Sequence, residues 1–200
     1  MEYIGDVIYD YADGLYFNIT NRCPCSCDFC IRNLVDSLGD ADSLWLKREP
    51  SVDEVMEMLK EWDLSKYSEI VFCGYGEPTE RLEDLLEISR RIKANHDIKC
   101  SVNTNGLSNL VNGRNTAADF GGVIDAVSIS LNAATAEKYF ELCHPVFGVD
   151  SFEAIQQFTS HIKAYVPDVT MSIVGGTIPA EDEPVCREIA DKLGVKFRRR

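Results

Sequence analysis

The sequence feature that most constrains the fold is a repeated succession of a short apolar run and an amphipathic segment. The run 70–73 is followed, within 82–92, by leucines and isoleucines at helical spacing, which indicates one strand–helix unit. Further strands are predicted at 98–102, 123–129, 169–174 and 195–197, and further helices at 134–142 and 184–193. Such units favour an α/β fold with parallel strands covered by helices, and in parallel barrels the chemistry lies at the C-terminal strand ends.

Other local signals complete the predicted layout. The apolar runs on either side of Ala12-Asp13-Gly14 predict a β-hairpin that precedes the first parallel strand. Ser51 and Glu54 form an S-x-x-E capping box, which predicts a helix that begins there and ends near Trp62. The stretch 34–50 is expected to be irregular.

Length and charge limit the class of protein. A chain of 200 residues can bury one sizeable core, so 1–200 is expected to be a single domain. Its net charge of −13 repels phosphate backbones and anionic lipids, which argues against generic nucleic-acid binding. The basic run 196–200 is interpreted as a solvated end and given no role. Without a leader or an apolar stretch of ~20 residues, a cytoplasmic protein without membrane contact is expected.

Four of the eight cysteines fall between positions 23 and 30. Because cytosolic cysteines are reduced, metal or redox chemistry explains them better than a disulfide framework. Cys23, Cys27 and Cys30 have C-x3-C-x2-C spacing, which gives three thiolates on one loop, and three ligands for four irons leave one iron open. A structural zinc site that also uses Cys25 is the alternative, but four thiols within eight residues fit zinc spacing poorly.

This loop resembles the signature of the radical S-adenosylmethionine (SAM) superfamily, with the aromatic Phe29 before the third cysteine. The resemblance implies a partial (β/α)6 TIM-like barrel with an N-terminal β-hairpin. It also implies that Cys23, Cys27 and Cys30 hold a 4Fe-4S cluster, that SAM chelates the open iron, and that Phe29 packs near the adenine. Cys25 is then not a ligand.

A glycine-rich segment follows the second strand of the parallel sheet. Gly74, Tyr75, Gly76, Glu77 and Pro78 resemble the G-G-E-P motif of the same superfamily. The glycines are expected to let the backbone approach a ligand and to adopt positive φ, and Pro78 to fix the exit into the next helix. The resemblance implies that residues 74–77 hold the methionyl ammonium of SAM. A plain turn is the alternative, and Glu77 is expected to hold the amine and its own loop rather than to accept a proton.

Two later strands end in short polar side chains, as a polar ligand at a barrel mouth requires. Asn103 and Asn105 follow the third strand, and Ser130 and Asn132 the fourth. They resemble the T-N-G and S-L-N-A segments of radical SAM proteins, which implies that they serve the carboxylate and ribose of SAM. Asn105, before Gly106, can equally cap its own turn.

Over nearly the whole chain the sequence is most similar to the TatD-associated radical SAM family. The segments that carry this resemblance are 15–23, 30–32, 72–79, 103–107 and 142–145. It implies a TatD-type hydrolase as a candidate partner and a flavodoxin or ferredoxin as the electron donor. Two departures are the extra thiol of Cys25 and Gly175, where an acidic residue is expected.

The resemblance implies reductive cleavage of SAM into methionine and a 5′-deoxyadenosyl radical that abstracts hydrogen. The substrate is not specified by the sequence, and a macromolecule is one candidate. Two alternatives stay open. One is an iron-sulfur electron carrier or redox sensor without SAM chemistry, which needs a fourth ligand. The other is an enzyme like 7-carboxy-7-deazaguanine synthase, which needs a magnesium site that nothing in the sequence marks.

Three further cysteines and one histidine receive no role in the cofactor site. Cys73, Cys100 and Cys186 lie in apolar segments and are expected to be small core residues. His144 is expected to be a packed loop histidine, with acid–base chemistry as the alternative.

Overall fold

The structure is a computed structural model that describes residues 2–200. Seven strands form one sheet in chain order. They are β1 Ile8–Tyr11, β2 Gly14–Phe17, β3 Glu69–Phe72, β4 Lys99–Thr104, β5 Ala126–Ser130, β6 Asp168–Ile173 and β7 Lys196–Arg199.

The sheet is parallel except at its N-terminal edge. β1 and β2 form an antiparallel hairpin whose register pairs Tyr11 with Gly14, so Ala12 and Asp13 make a two-residue loop. β2 to β7 are all parallel. Because β1 and β7 stand at opposite ends of the strand order, the barrel is partial and not closed. The predicted α/β fold with its N-terminal hairpin is confirmed.

Six α-helices connect the strands. They are α1 Val52–Leu59, α2 Leu82–Asn95, α3 Ser108–Asn112, α4 Ala136–Cys143, α5 Ser151–Ile162 and α6 Asp182–Leu193. Single 3-10 turns lie at Ile31–Asn33, Leu64–Lys66, Pro78–Arg81 and Ala117–Phe120. No helix of the described residues is long and apolar enough to cross a membrane.

Helix α1 begins as its capping box predicts and ends earlier than expected. The Ser51 side chain accepts from the Glu54 amide, and the Glu54 carboxylate accepts from the Ser51 amide. The helix stops at Leu59 rather than near Trp62, because the amides of 60–62 bond to carbonyls three residues back and tighten the last turn.

The sequence prediction missed α3 and α5. Phe152, Ile155, Phe158 and Ile162 are buried on one face of α5 and have helical spacing, so the sequence did carry its signal. No side chain caps the start of α5 at Asp150, so the usual N-terminal marker of a helix is absent there.

The two faces of the sheet differ in chemistry. Toward the helices, the strands present fully buried apolar residues such as Phe72, Val102 and Ile129, which form the main core. Strand residues alternate in direction, so the intervening positions face the concave interior. Those positions carry short polar side chains, including the paired residues Asn103 and Ser128.

Candidate cofactor site

The cysteine loop follows β2 and is tied to the end of α4. The amide of Ser26 donates to the Cys143 carbonyl at 3.0 Å, and that of Asp28 to the Leu142 carbonyl at 3.1 Å. These bonds fix a loop without regular structure beside the C-terminal end of the sheet.

The four thiols of this loop are not equivalent. Cys23, Cys27 and Cys30 are half-buried, whereas Cys25 is only 4% exposed and belongs to the main core. The Cys25 sulfur lies 3.7 Å from the hydroxyl of Tyr139. All eight cysteines of the chain are free thiols. Among residues 2–200, no three His, Cys, Asp or Glu side chains already stand in metal-binding arrangement.

The surroundings of the loop favour thiolates at two of the three predicted ligands. Hydrogen bonds from the Cys143 and Cys25 thiols lower the pKa of Cys27 to about 4. A hydrogen bond from Cys25 likewise lowers the pKa of Cys23. Burial raises the pKa of Cys30. Because a thiolate is the form that binds metal, the loop suits iron ligation at Cys23 and Cys27 even before a cluster binds.

The glycines after β3 are required by close packing rather than by positive φ. A Cβ on Gly74 would lie 2.1 Å from the Asn18 side-chain oxygen, and one on Gly76 would lie 2.2 Å from the Thr20 carbonyl oxygen. Neither glycine has a positive φ, so that expectation was wrong. The glycines let the segment after β3 lie against residues 18–22, which lead into the cysteine loop.

Tyr75 points away from this segment. Its ring packs edge-on against Trp45, with centroids 5.1 Å apart, and belongs to a small cluster with Tyr9 and Leu44. Its hydroxyl donates to the Val35 carbonyl. Only the backbone of Tyr75 is therefore available to a cofactor, and its side chain is removed from the predicted site.

Glu77 joins the ends of β3 and β4. One carboxylate oxygen accepts from the Thr79 amide and hydroxyl and, at 2.7 Å, from the Thr104 hydroxyl. The other accepts from the Asn105 amide at 2.7 Å. The residue is 4% exposed, and burial raises its pKa despite these donors. Glu77 holds its own loop, as expected.

Asn105 both caps its turn and contacts the thiols. Its side-chain oxygen accepts from the Leu107 amide at 2.9 Å, which is the turn-capping alternative. Its side-chain nitrogen lies 3.9 Å from the Cys23 sulfur and 3.8 Å from the Cys25 sulfur. The residues predicted from separate motifs thus meet at one place.

Three further predicted cofactor residues, Phe29, Asn103 and Ser130, have other neighbours. Phe29 is half-buried against the core. Asn103 lines the cavity on the concave face of the sheet. The Ser130 hydroxyl accepts from Arg200 Nη2 at 2.7 Å, a partner that the sequence did not indicate.

Two buried polar atoms at this end of the sheet are unpartnered. Asn132 is 5% exposed with φ 55°, and its side-chain oxygen accepts no hydrogen bond from the described residues. The same holds for the side-chain oxygen of Asn18. An unpaired buried oxygen costs free energy, so that of Asn132 suits a ligand that donates hydrogen bonds, whereas that of Asn18 lies against Gly74. The residues present therefore fit a thiolate-bound cluster with a polar molecule beside it.

Two sequence expectations need correction. Cys100 and Cys186 are fully buried as expected, but Cys73 is half-buried on the concave face. His144 is exposed rather than packed, and its Nε2 lies 2.8 Å from the Asp28 carboxylate in the cysteine loop. The basic run 196–200 is mostly exposed to solvent, and its residues 196–199 form β7, the last strand that the sequence predicts.

The model of the Radical SAM superfamily matches residues 17–189. Among curated proteins, none matches the sequence.

Several solved structures share the fold. SuiB of Streptococcus suis bound to the precursor peptide SuiA is 14% identical, with a TM-score of 0.69 over 96% of this chain and 40% of that chain. Native anSMEcpe with bound AdoMet is 21% identical, with a TM-score of 0.61 over 92% and 50%. TYW1 with a lysine-pyruvate adduct is 15% identical, with a TM-score of 0.61 over 94% and 65%. The chain thus spans about 40–65% of the length of these proteins.

Proposed function

The chain belongs to the radical SAM superfamily, whose members are enzymes that use a 4Fe-4S cluster and SAM, and from this premise we propose that it abstracts hydrogen from a bound substrate. Cys23, Cys27 and Cys30 hold the cluster. When bound, the cluster and SAM supply reductive cleavage of SAM into methionine and a 5′-deoxyadenosyl radical. The protein's own part is to bind, to orient and to exclude water.

The difference among the four loop thiols is the observation that carries this proposal. Three are half-buried and accessible to a cluster, while Cys25 is packed among core residues near Tyr139. The pKa values of Cys23 and Cys27 are lowered beside Cys25, which favours thiolates at both predicted ligands. This arrangement leaves three protein ligands and one open iron.

The SAM site adjoins the loop. Glu77 fixes the segment 74–77 so that its backbone faces a ligand amine, and the Glu77 carboxylate supplies negative charge nearby. Asn103, Asn105, Ser130 and Asn132 supply amide and hydroxyl groups for the carboxylate and ribose. The unpartnered oxygen of Asn132 supports this assignment, because a ribose hydroxyl is a donor of the kind that it lacks.

Finer assignments rest on the sequence resemblance. We infer a member of the TatD-associated family in which residues 1–200 form one radical SAM core in the cytoplasm. Its electron donor is a flavodoxin or a ferredoxin, and a TatD-type hydrolase is a candidate partner. A macromolecular substrate is the candidate that we favour, because the barrel is not closed between β1 and β7 and the fold is shared with SuiB bound to a precursor peptide.

The ligand assignment is tested by single cysteine-to-serine variants after anaerobic reconstitution. Cys23→Ser, Cys27→Ser and Cys30→Ser are expected to lose most iron and visible absorbance, because serine does not replace a thiolate ligand to iron. Cys25→Ser is the matched control within the same loop and is expected to keep the cluster. Loss of iron in Cys25→Ser together with full iron in Cys23→Ser would overturn the assignment.

A further inference from the structure

Two arginines of β7 extend across the concave face of the sheet. Arg198 Nη2 donates to the Ser128 hydroxyl at 3.3 Å, and Arg200 Nη2 donates to the Ser130 hydroxyl at 2.7 Å. Both serines belong to β5, and β6 lies between β5 and β7. The two side chains therefore reach over a neighbouring strand along the concave face, where both remain exposed to solvent.

Neither guanidinium has an acidic partner within residues 2–200, although the chain has 33 acidic residues. Their neighbours on the same strand do: Arg199 lies 3.7 Å from Glu183, and Lys196 lies 2.9 Å from Asp168. Two positive charges that share one face repel each other, and an anion between them would offset that cost.

A cavity of about 300 Å³ lies on the same concave face. Arg198 lines it together with Ser101, Asn103, Ser128 and Thr170. Closed parallel barrels fill their interior with branched apolar side chains. Here short hydroxyl and amide side chains leave space and supply hydrogen-bond donors, as a polar ligand requires.

The other end of this cavity is acidic, because Glu69, Asp125 and Asp168 line it at the N-terminal ends of the strands. Asp125 is paired with Lys93. Asp168 keeps one unpartnered carboxylate oxygen, and Glu69 forms no ion pair with any described residue. An anion in the interior is therefore repelled by this end and attracted to the guanidinium groups of β7.

We propose that Arg198 and Arg200 bind an oxyanion of the substrate, a carboxylate or a phosphate. The guanidinium fork matches both groups with paired N–H donors. Ser130 precedes Asn132 by two residues, so Arg200 lies at the edge of the proposed SAM site and holds the substrate beside it. This inference rests on the proposed function, since it names the class of molecule on which that site acts.

The test is equilibrium binding of inorganic phosphate and of acetate to the reconstituted holoprotein, measured by calorimetry. The double variant Arg198→Gln/Arg200→Gln is expected to bind the preferred anion at least about tenfold more weakly than the parent chain, since hydrogen bonds to charged groups are lost. Arg199→Gln is the matched control, because it removes the same charge from the adjacent position on the other face, and it is expected to bind like the parent. Tighter binding of phosphate or of acetate identifies which oxyanion the site takes.

Equal anion affinity in the parent, the control and the double variant would overturn the inference, as would no binding to the parent. Binding of SAM is measured in parallel. If the double variant loses affinity for SAM and not for the free anions, the arginines serve the SAM carboxylate and the inference is wrong. Should the double variant not fold, Arg200→Gln alone is expected to weaken anion binding. Cleavage of SAM without substrate tests the proposed function separately, so the two can fail independently.

Discussion

Glu77 has a buried carboxylate whose four hydrogen-bond donors come from the ends of two strands. Burial outweighs these donors and raises its pKa above the ordinary carboxyl value. A raised pKa means that the folded state binds the proton more tightly than the unfolded chain. Its contribution to stability is thus present below the unfolded pKa of about 4.5 and is lost as the pH rises through the folded value.

Glu77→Gln is expected to destabilise the cluster-free protein by about 1–3 kcal/mol. The side-chain NH2 group of glutamine would face the Asn105 N–H, and both groups are donors. The difference in unfolding free energy between the parent and Glu77→Gln should be larger at low pH and should decrease as the pH rises through the folded pKa of Glu77. Urea unfolding of both proteins at several pH values measures it. A loss that grows with pH would contradict the direction of the pKa shift.

Gly76→Ala tests the close packing beside the cysteine loop. The added Cβ would lie 2.2 Å from the Thr20 carbonyl oxygen, so the backbone of 18–22 must move. We expect a destabilisation of roughly 1–3 kcal/mol and a lower iron content after reconstitution. Gly121→Ala, whose nearest contact would be 3.2 Å, is the control and should keep its iron. Full iron occupancy in Gly76→Ala would show that the loop tolerates the shift.

At the scale of elements, the succession of short apolar runs and amphipathic segments predicted the parallel strands and most of the helices, but not every helix. The parallel strands β2 to β6 were predictable because each contains a short apolar run with a turn beyond it, and β7 was predicted from the run 195–197. Helix α5 was missed because no side chain caps its start, although its apolar residues have helical spacing. No role could be predicted for 196–200, because a basic run occurs both in solvated chain ends and in strands. The pairing of 196–199 with β6 determines which of these side chains face the concave side.

Helix α5 is expected to be essential to the core despite its weak sequence signal. Phe158 is fully buried and packs edge-on against Phe120, with centroids 5.9 Å apart. Phe158→Ala should lower the free energy of unfolding by about 3–5 kcal/mol, because it leaves a cavity. Phe140→Ala, at an exposed position of α4, is the control and should cost far less. Equal losses in chemical denaturation would show that α5 is not part of the core.

For the whole molecule, the sequence predicted where the site lies better than how its residues act. The cysteine loop, Glu77 and Asn105 converge because parallel strands place their C-terminal ends at one edge. The buried position of Cys25 and the direction of Tyr75 depend on packing between distant segments, which spacing along the chain does not encode. The same is true of the arginines on the concave face, because their partners are two strands away.

Cleavage of SAM by this barrel and its three-cysteine loop is tested most directly by the formation of 5′-deoxyadenosine. The anaerobically reconstituted protein is supplied with dithionite and SAM. We expect the parent chain to form 5′-deoxyadenosine together with methionine and Cys27→Ser to form none. A parent protein with full iron occupancy that forms no more 5′-deoxyadenosine than Cys27→Ser would contradict this expectation.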